Sequence, residues 1–327
     1  MMLSLLIPIY NEEEVLRISY ERLKKEMDRS GFPYEMVFIN DGSEDASLQI
    51  LREIVEKDAS AKAIHFSKNF GHEIAITAGL DHARGDAIII IDADLQDPPE
   101  LIHEMISLWK KGYDVVYGRR KKRKGETFFK KLTASLFYHV MNFMSEMPFP
   151  KEVGHFRLMD RKVRDSLLLL RERNRFMRGL ITWVGFKQTS LEFVREPRTK
   201  GESKYGLMHQ IRLAASAIIS FSIKPLRIAT YVGLATSLLG FLFTLIVLYE
   251  KFFTDQTVQG WTSLMCVTLV FNGIILMVLG IIGEYIGFIF TEVKKRPLYI
   301  VDAYDGDFQT GRETRIPVEV SSGSLLD

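Results

Sequence analysis

At 327 residues the chain has room for one soluble domain of ordinary size and for something further. Lys and Arg number 43 against 41 Asp and Glu, a formal net charge of +2, which excludes a global attraction to nucleic acid. The single cysteine, Cys266, lies inside an apolar run; it excludes a disulfide framework or a thiolate metal site and fits a reducing compartment.

The first residues carry no basic region ahead of their apolar run and meet Pro8, Asn11 and three glutamates at once, so they read as a first strand rather than a targeting segment. Residues 3–9 give that strand, and Glu12, Glu13 and Glu14 are expected in the first turn of the helix that follows, where the helix dipole favours acids. A second strand over residues 34–39 ends in Asn40-Asp41-Gly42-Ser43, a turn before a helix capped by Asp or Ser. A short strand at 63–66 and a helix from Asn69 through Leu80 lead to Ile88-Ile89-Ile90-Ile91, which reads as a fully buried strand. Strand and helix alternating in this way predict a mostly parallel, doubly wound sheet. Its acids, Glu12, Asp41, Asp92 and Asp94, fall at the carboxyl ends of successive strands, where ligands of open α/β sheets gather.

Asp92-Ala93-Asp94 closes the buried strand abruptly. Two carboxylates one residue apart can converge on a hard divalent cation, Mg2+ or Mn2+, with the Gln96 carboxamide as a third oxygen. The alternative is structural: Asp94 or Asp97 capping a helix that starts near Pro98-Pro99.

A helix at 101–109 and a strand at 114–117 run into the basic stretch of Arg119, Arg120 and the four cations after them. That stretch is either a solvated loop or a contact for anionic lipid, because an aromatic amphipathic helix, about 127–145, follows it. Short strands are expected at 156–158, 180–184 and 191–194 around a helix at 164–170, then a polar loop over 195–206 and a second amphipathic helix within 206–225.

Residues 228–249 and 260–283 carry no charge, and each exceeds the about 20 residues that a bilayer core requires. Two membrane spans within 226–290 are therefore expected, joined by an external loop at about 250–260. Lys224, Arg227, Lys294, Lys295 and Arg296 flank the pair, which places both the large domain (1–205) and the C-terminal tail (291–327, polar and disordered after Tyr304) in the cytoplasm. A metal-diphosphate site beside interfacial helices points to the joining of a soluble nucleotide-sugar donor to a lipid acceptor, with Arg119, Arg198 and Lys204 holding phosphates.

These residues carry a resemblance. Pro8-Ile9-Tyr10-Asn11-Glu12, Asn40-Asp41-Gly42-Ser43, Asn69-Phe70-Gly71, Asp92-Ala93-Asp94-Leu95-Gln96-Asp97-Pro98, Phe156-Arg157-Leu158-Met159, Gly201-Glu202-Ser203-Lys204 and Gly283-Glu284-Tyr285-Ile286-Gly287 occur in an order that resembles the membrane-bound polyprenyl-phosphate glycosyltransferases of glycosyltransferase family 2, which include dolichol-phosphate mannose synthases and bactoprenol glucosyltransferases. The resemblance implies a GT-A fold, a Rossmann-like α/β sheet with interfacial helices followed by two transmembrane helices. It implies that Pro8, Tyr10, Glu12, Ile39 and Asp41 hold the nucleoside, that Asp92, Ala93, Asp94 and Gln96 bind diphosphate and metal, and that Arg119, Arg198 and Lys204 bind phosphates. The stretches around Arg173, Arg178 and Trp183 look closer to the bacterial glucosyl branch, implying UDP-glucose as donor and undecaprenyl phosphate as acceptor, with mannose or an aminosugar as the alternative. It further implies a homo-oligomer, a tetramer, in the bacterial inner membrane. Asp94, His155, Arg198 and Lys204 are the candidate catalytic residues. His155 departs from the family pattern, which usually has an acid there; histidine supplies no fixed negative charge.

Overall fold

The computed structural model describes residues 1–120, 153–194, 218–219, 222–253 and 260–308. The soluble part is built on one eight-stranded mixed sheet of order β7-β5-β6-β4-β1-β2-β3-β8. Its strands are β1 (Leu3–Ile9), β2 (Tyr34–Asn40), β3 (Ala61–Phe66), β4 (Ala87–Ile90), β5 (Val115–Arg120), β6 (Val153–Asp160), β7 (Gln188–Phe193) and β8 (Val301–Asp305). β1 pairs in parallel with β2 and β4, β2 with β3, and β5 with β7; β6 runs antiparallel to β4 and β5, and β8 antiparallel to β3.

Helices cover both faces. α1 (Leu16–Arg29), α2 (Ser47–Lys57) and α4 (Ile102–Lys110) lie over the face that buries Leu5, Phe38, Ile89 and Phe156. The other face, with Val37, Ile64, Ile88 and Ile90, is closed by α3 (His72–His82), α5 (Arg161–Leu168) and α6 (Met177–Trp183). Ile88 to Ile91 are all at most 1% exposed, because this central strand is covered from both sides and alternate residues serve opposite faces. Pro8 is tolerated in β1 because the β4 ladder reaches only Leu6; the missing N–H falls beyond the paired stretch.

Several expectations are corrected. Glu12, Glu13 and Glu14 precede α1, which starts at Leu16 with no acid in its first turn. Residues 180–184, expected as a strand, lie largely in helix α6, whose buried Met177, Leu180 and Ile181 follow helical rather than alternating spacing. No side chain caps the short 3-10 turn at Pro99–Leu101 or the start of α4, so the capping alternative for Asp94 and Asp97 does not hold.

Two long helices follow, α7 (Lys224–Phe253) and α8 (Trp261–Val293). Stretches of 23 and 27 residues, Lys224–Ile246 and Val267–Val293, are long and apolar enough to cross a membrane, with mean hydropathy 1.8 and 2.2. Leu238, Phe241 and Phe243 on α7 and Leu276, Met277 and Ile289 on α8 are each more than half exposed, a surface that water does not tolerate in such extent. Residues 250–253 of the expected loop are helical, and only 254–259 fall between described segments. Within the expected C-terminal segment the chain returns to the sheet after α8, β8 pairing Ile64 with Tyr304 and His65 with Ala303; residues 309–327 of the stretch expected to be disordered lie outside the described residues. Tyr299 stacks on Phe66 at 5.1 Å and donates a 2.8 Å hydrogen bond to Asp81, pinning the return. The amphipathic helix at 127–145, the polar loop 195–206 and nearly all of the helix within 206–225 lie outside the described residues.

Candidate active site

β1 is the point from which the chain runs to β2 and β3 on one side and to β4 on the other, so a crevice opens at the carboxyl ends of β1 and β4. The loop after β1 is laced to the loop after β2. The backbone N–H of Asn11 donates to Ser43 Oγ at 3.0 Å, that of Glu12 to Ser47 Oγ at 3.0 Å and that of Glu13 to Asp45 at 3.0 Å. Asn11 stands at φ 53, a left-handed conformation that asparagine accepts readily, and its side chain receives the Glu44 N–H at 2.8 Å. This lacing holds Tyr10, 37% exposed, at the rim of the crevice.

Asp41 is 3% exposed, and its carboxylate accepts the backbone N–H groups of Phe70 and Gly71 at 2.6 and 2.9 Å. Burial raises its pKa, and those two donors oppose the rise. Ile39, fully buried, lies beneath it on β2.

After β4 the backbone turns sharply. Asp94 accepts the Gln96 N–H at 3.1 Å, and Leu95 between them stands at φ 55, a strained value for a branched apolar residue. Gln96 is 5% exposed, and its Oε1 is buried without a hydrogen-bond partner. Among the described residues no three His, Cys, Asp or Glu side chains converge as a metal-binding group. The set nevertheless fits a hard cation: Asp92, Asp94 and Gln96 offer only oxygen, and Mg2+ is commonly held by one or two carboxylates with substrate phosphates completing the shell. The unpartnered Gln96 oxygen is what such an ion would use.

Because β6 runs antiparallel to β4, its first residues lie beside those that follow β4, and they bring His155 into the crevice. His72, at the start of α3, bonds Asp92 at 2.9 Å, and its ring lies 4.6 Å from that of His155. His155 Nε2 is 3.7 Å from Glu73 Oε1 and 3.3 Å from Arg178 Nη2. Glu73 in turn accepts the N–H of Met177 at 3.0 Å, joining α3 to α6, and Arg178 donates to the carbonyl of Val153 at 3.1 Å.

The charges of this cluster are ordered. Burial works against the charged form of Asp92, but the His72 imidazole, its hydrogen bond and nearby cations outweigh it and hold the carboxylate well below the ordinary range. Burial likewise opposes charge on His72, yet Asp92 raises its pKa. His155 is pushed well below the usual histidine range by burial, by His72 and by Arg178, so its ring is neutral near pH 7. Burial first, then Arg178, brings Arg157 down to about 10, still fully cationic at neutral pH. An ionised Asp92, a neutral His155 ring and the Arg157 cation therefore share a small polar core with His72, Glu73 and Arg178.

The structure brings Tyr10, Glu12, Asp41, Asp92, Asp94 and Gln96 to the carboxyl edge of the sheet, with His155 beside them; Pro8 and Ala93 contribute backbone there and are buried. Arg119 instead pairs with Glu192 at 3.9 Å on neighbouring strands, while Arg120, its neighbour on the opposite face, reaches Asp97 at 3.6 Å. Arg198 and Lys204 lie outside the described residues. Sequence reasoning passed over Glu73, Arg120 and Arg178 as site residues. The Gly71-His72-Glu73 run after the Asn69-Phe70 turn carried the only local signal, an acid and a histidine together at a helix start.

Comparison with known proteins agrees with this geometry. The family described as "Glycosyl transferase family 2" matches residues 4–168, and "GtrB C-terminal hairpin" matches residues 224–289. The chain is 56% identical over 298 residues to the Bacillus subtilis "Uncharacterized glycosyltransferase YkcC", covering 91% of this chain and 92% of that one. It is 40% identical over 301 residues to the Escherichia coli "Prophage bactoprenol glucosyl transferase homolog", covering 92% and 98% of the two chains. The same identity and length relate it to the "Bactoprenol glucosyl transferase" of Shigella phage SfX, with 92% and 99% covered. The chain is a glycosyltransferase and belongs to glycosyltransferase family 2, in the group that joins this domain to a GtrB-type C-terminal hairpin.

Proposed function

We propose that the protein transfers glucose from UDP-glucose to the phosphate of undecaprenyl phosphate at the cytoplasmic face of a bacterial inner membrane, in one displacement that inverts the anomeric carbon. The observation that carries this reading is the short segment linking α5 to α6. Arg173 and Asn174 bond Glu292 and Thr291 on α8 at 2.6 and 3.2 Å, while Met177 and Arg178 a few residues on bond into the crevice. An extended chain from 173 to 178 spans at most about 18 Å, so the crevice opens close to the base of the hairpin. The relatives named as bactoprenol glucosyl transferases support a lipid-linked acceptor.

The pairing of β8 with β3 supports the orientation, since strands of one sheet lie on one side of a membrane and the hairpin between them must cross an even number of times. Lys224, Arg227, Lys294, Lys295 and Arg296 at its open end favour the cytoplasm for that side.

In this reading Tyr10, Glu12 and Asp41, on the backbone of Pro8 and Ile39, hold the uridine. Asp92, Asp94 and Gln96 would hold Mg2+ or Mn2+, which when bound offsets charge developing on the leaving diphosphate. Arg198 and Lys204 bind phosphates, joined by Arg178. The acceptor phosphate, with a second pKa of about 6, is mostly ionised near neutral pH and attacks without a general base. That removes the need for an acid at position 155. The neutral His155 ring accepts a hydrogen bond from Arg178 and orients its guanidinium toward the incoming phosphate. The same hairpin, with its exposed apolar faces, is proposed to associate into a homo-oligomer, a tetramer.

Membranes or detergent-solubilised protein incubated with radiolabelled UDP-glucose, Mn2+ and undecaprenyl phosphate test the proposal. An acid-labile, organic-extractable glucolipid is expected. Label transferred only from GDP-mannose or an N-acetylhexosamine donor would replace the assigned sugar, and label released only to water would reject the lipid acceptor.

A further inference from the structure

Among buried titratable groups outside the crevice, His65 stands out. It lies on β3, 2% exposed, at the centre of a row that crosses three strands. Asn40 at the end of β2 is its register partner on one side and Ala303 on β8 on the other. The small side chain of Ala303 leaves the place beyond His65 to Asp305, which bonds His65 Nε2 at 2.9 Å from 240 positions away in the chain. His65 Nδ1 lies 3.2 Å from the Asn40 carboxamide nitrogen.

Only one arrangement of protons satisfies this row. Asp305 can only accept, so Nε2 carries the hydrogen; Nδ1 then accepts from Asn40 Nδ2, which turns the Asn40 oxygen toward the chain beyond it. That oxygen receives the Ser43 N–H at 3.0 Å, and Ser43 Oγ receives the Asn11 N–H at 3.0 Å. The row therefore runs from the strand after the hairpin to the two loops that carry Tyr10, Glu12 and Asp41. Asn40 is the last residue of β2 and Asp41 follows it directly, so fixing Asn40 fixes the strand end from which Asp41 projects.

We propose that Asp305 is a positioning residue for donor binding, acting through His65 and Asn40 to set the turn of residues 40–43 that carries Asp41. This rests on the reading that the turn holds the donor nucleotide. A segment following the membrane hairpin thereby contributes to the nucleotide pocket without touching the nucleotide.

The test uses the full chain in detergent, with UDP and Mn2+ titrated calorimetrically and KM measured separately for donor and acceptor. Asp305→Ala removes the acceptor, frees the histidine to change tautomer, and is expected to weaken UDP binding and raise donor KM about five- to tenfold, the worth of one buried hydrogen bond. Acceptor KM and kcat stay within about twofold of wild type on the same argument. Asp305→Asn, which keeps an oxygen acceptor, restores donor binding. Arg52→Ala removes a second partner of Asp305, an ion pair at 3.4 Å, and leaves donor binding unchanged. Unchanged UDP affinity in Asp305→Ala, or an equal loss in Arg52→Ala, overturns the inference. If Asp305→Ala does not fold, His65→Gln carries the same expectation of a donor-specific loss, and its absence overturns the inference equally. A wild-type chain that binds no UDP rejects the donor-site reading itself, and this inference with it.

Discussion

Gly42→Ala is the substitution whose cost the structure specifies most closely. Gly42 stands at φ +66, and a Cβ built on it would lie 2.3 Å from the Lys68 carbonyl carbon and 2.5 Å from the Asn69 nitrogen. Both are backbone atoms, so neither can swing aside. The left-handed conformation alone costs an alanine about 1–2 kcal/mol, and forcing a methyl into backbone adds about 1–3 kcal/mol. Gly31 supplies the control: it stands at φ +73 with nothing within 4 Å of its would-be Cβ, so Gly31→Ala carries only the conformational part. For a domain of this size each kcal/mol moves Tm by about 2–4 °C, so Gly42→Ala should melt roughly 4–20 °C below wild type and Gly31→Ala roughly 2–8 °C below it, with Gly42→Ala the lower of the two. Melting curves of the full chain in detergent, with and without UDP, make the comparison. Because Asp41 is the preceding residue and its carboxylate is held by the same 68–71 segment, Gly42→Ala should also raise donor KM about tenfold while Gly31→Ala leaves it unchanged. Equal melting of the two variants would refute the close approach of the turn to residues 68–69.

Other expectations concern charge. Lys62→Met leaves Glu35, 2% exposed and paired with Lys62 at 2.9 Å, as a buried charge without its cation and should cost about 3–5 kcal/mol. The double variant with Glu35→Gln should melt above Lys62→Met, and a lower melting point would argue against a desolvated pair. His65 has its pKa lowered, chiefly by burial and against the pull of Asp305, so the unfolded chain binds its proton first as pH falls. Stability attributable to it is present above about pH 6.5 and is lost as pH drops below that value. His65→Gln should therefore flatten the acid limb of a Tm-against-pH profile, and an unaltered limb would count against a neutral buried ring. Asp94→Asn, or chelation of divalent cations by EDTA, should lower glucosyl transfer at least about 100-fold; full activity in EDTA would remove the cation from the proposal.

How much of this was legible beforehand depended on how local the signal was. The isoleucine run of β4 is apolar on both faces because it is covered on both, and it could be read without any partner in view. The acids at 12, 41, 92 and 94 could be placed by counting strands, since in a parallel sheet successive carboxyl ends share an edge. The edge strand β8 could not, because five residues alternating between half-buried and exposed positions look like any polar tail until β3 is beside them. Likewise Glu73 and Arg178 meet His155 only because an antiparallel strand folds back along β4, a fact of topology rather than of composition. The helix at 177–183 was misread as a strand because its short apolar run fits either period over so few residues.

The return of the chain to β3 has a bearing on biogenesis. Synthesis proceeds from the amino end, so β1 to β7 and the helices α1 to α6 leave the ribosome before α7 and α8, and β8 after them. Until then β3 is a bare margin with unsatisfied amides, open to pairing with another nascent chain. On the topology proposed above, insertion of the two helices must return the carboxyl end to the side where that margin waits. A molecule whose hairpin inserted wrongly would keep an unfinished sheet, so the cell could recognise faulty membrane integration from the state of the soluble domain.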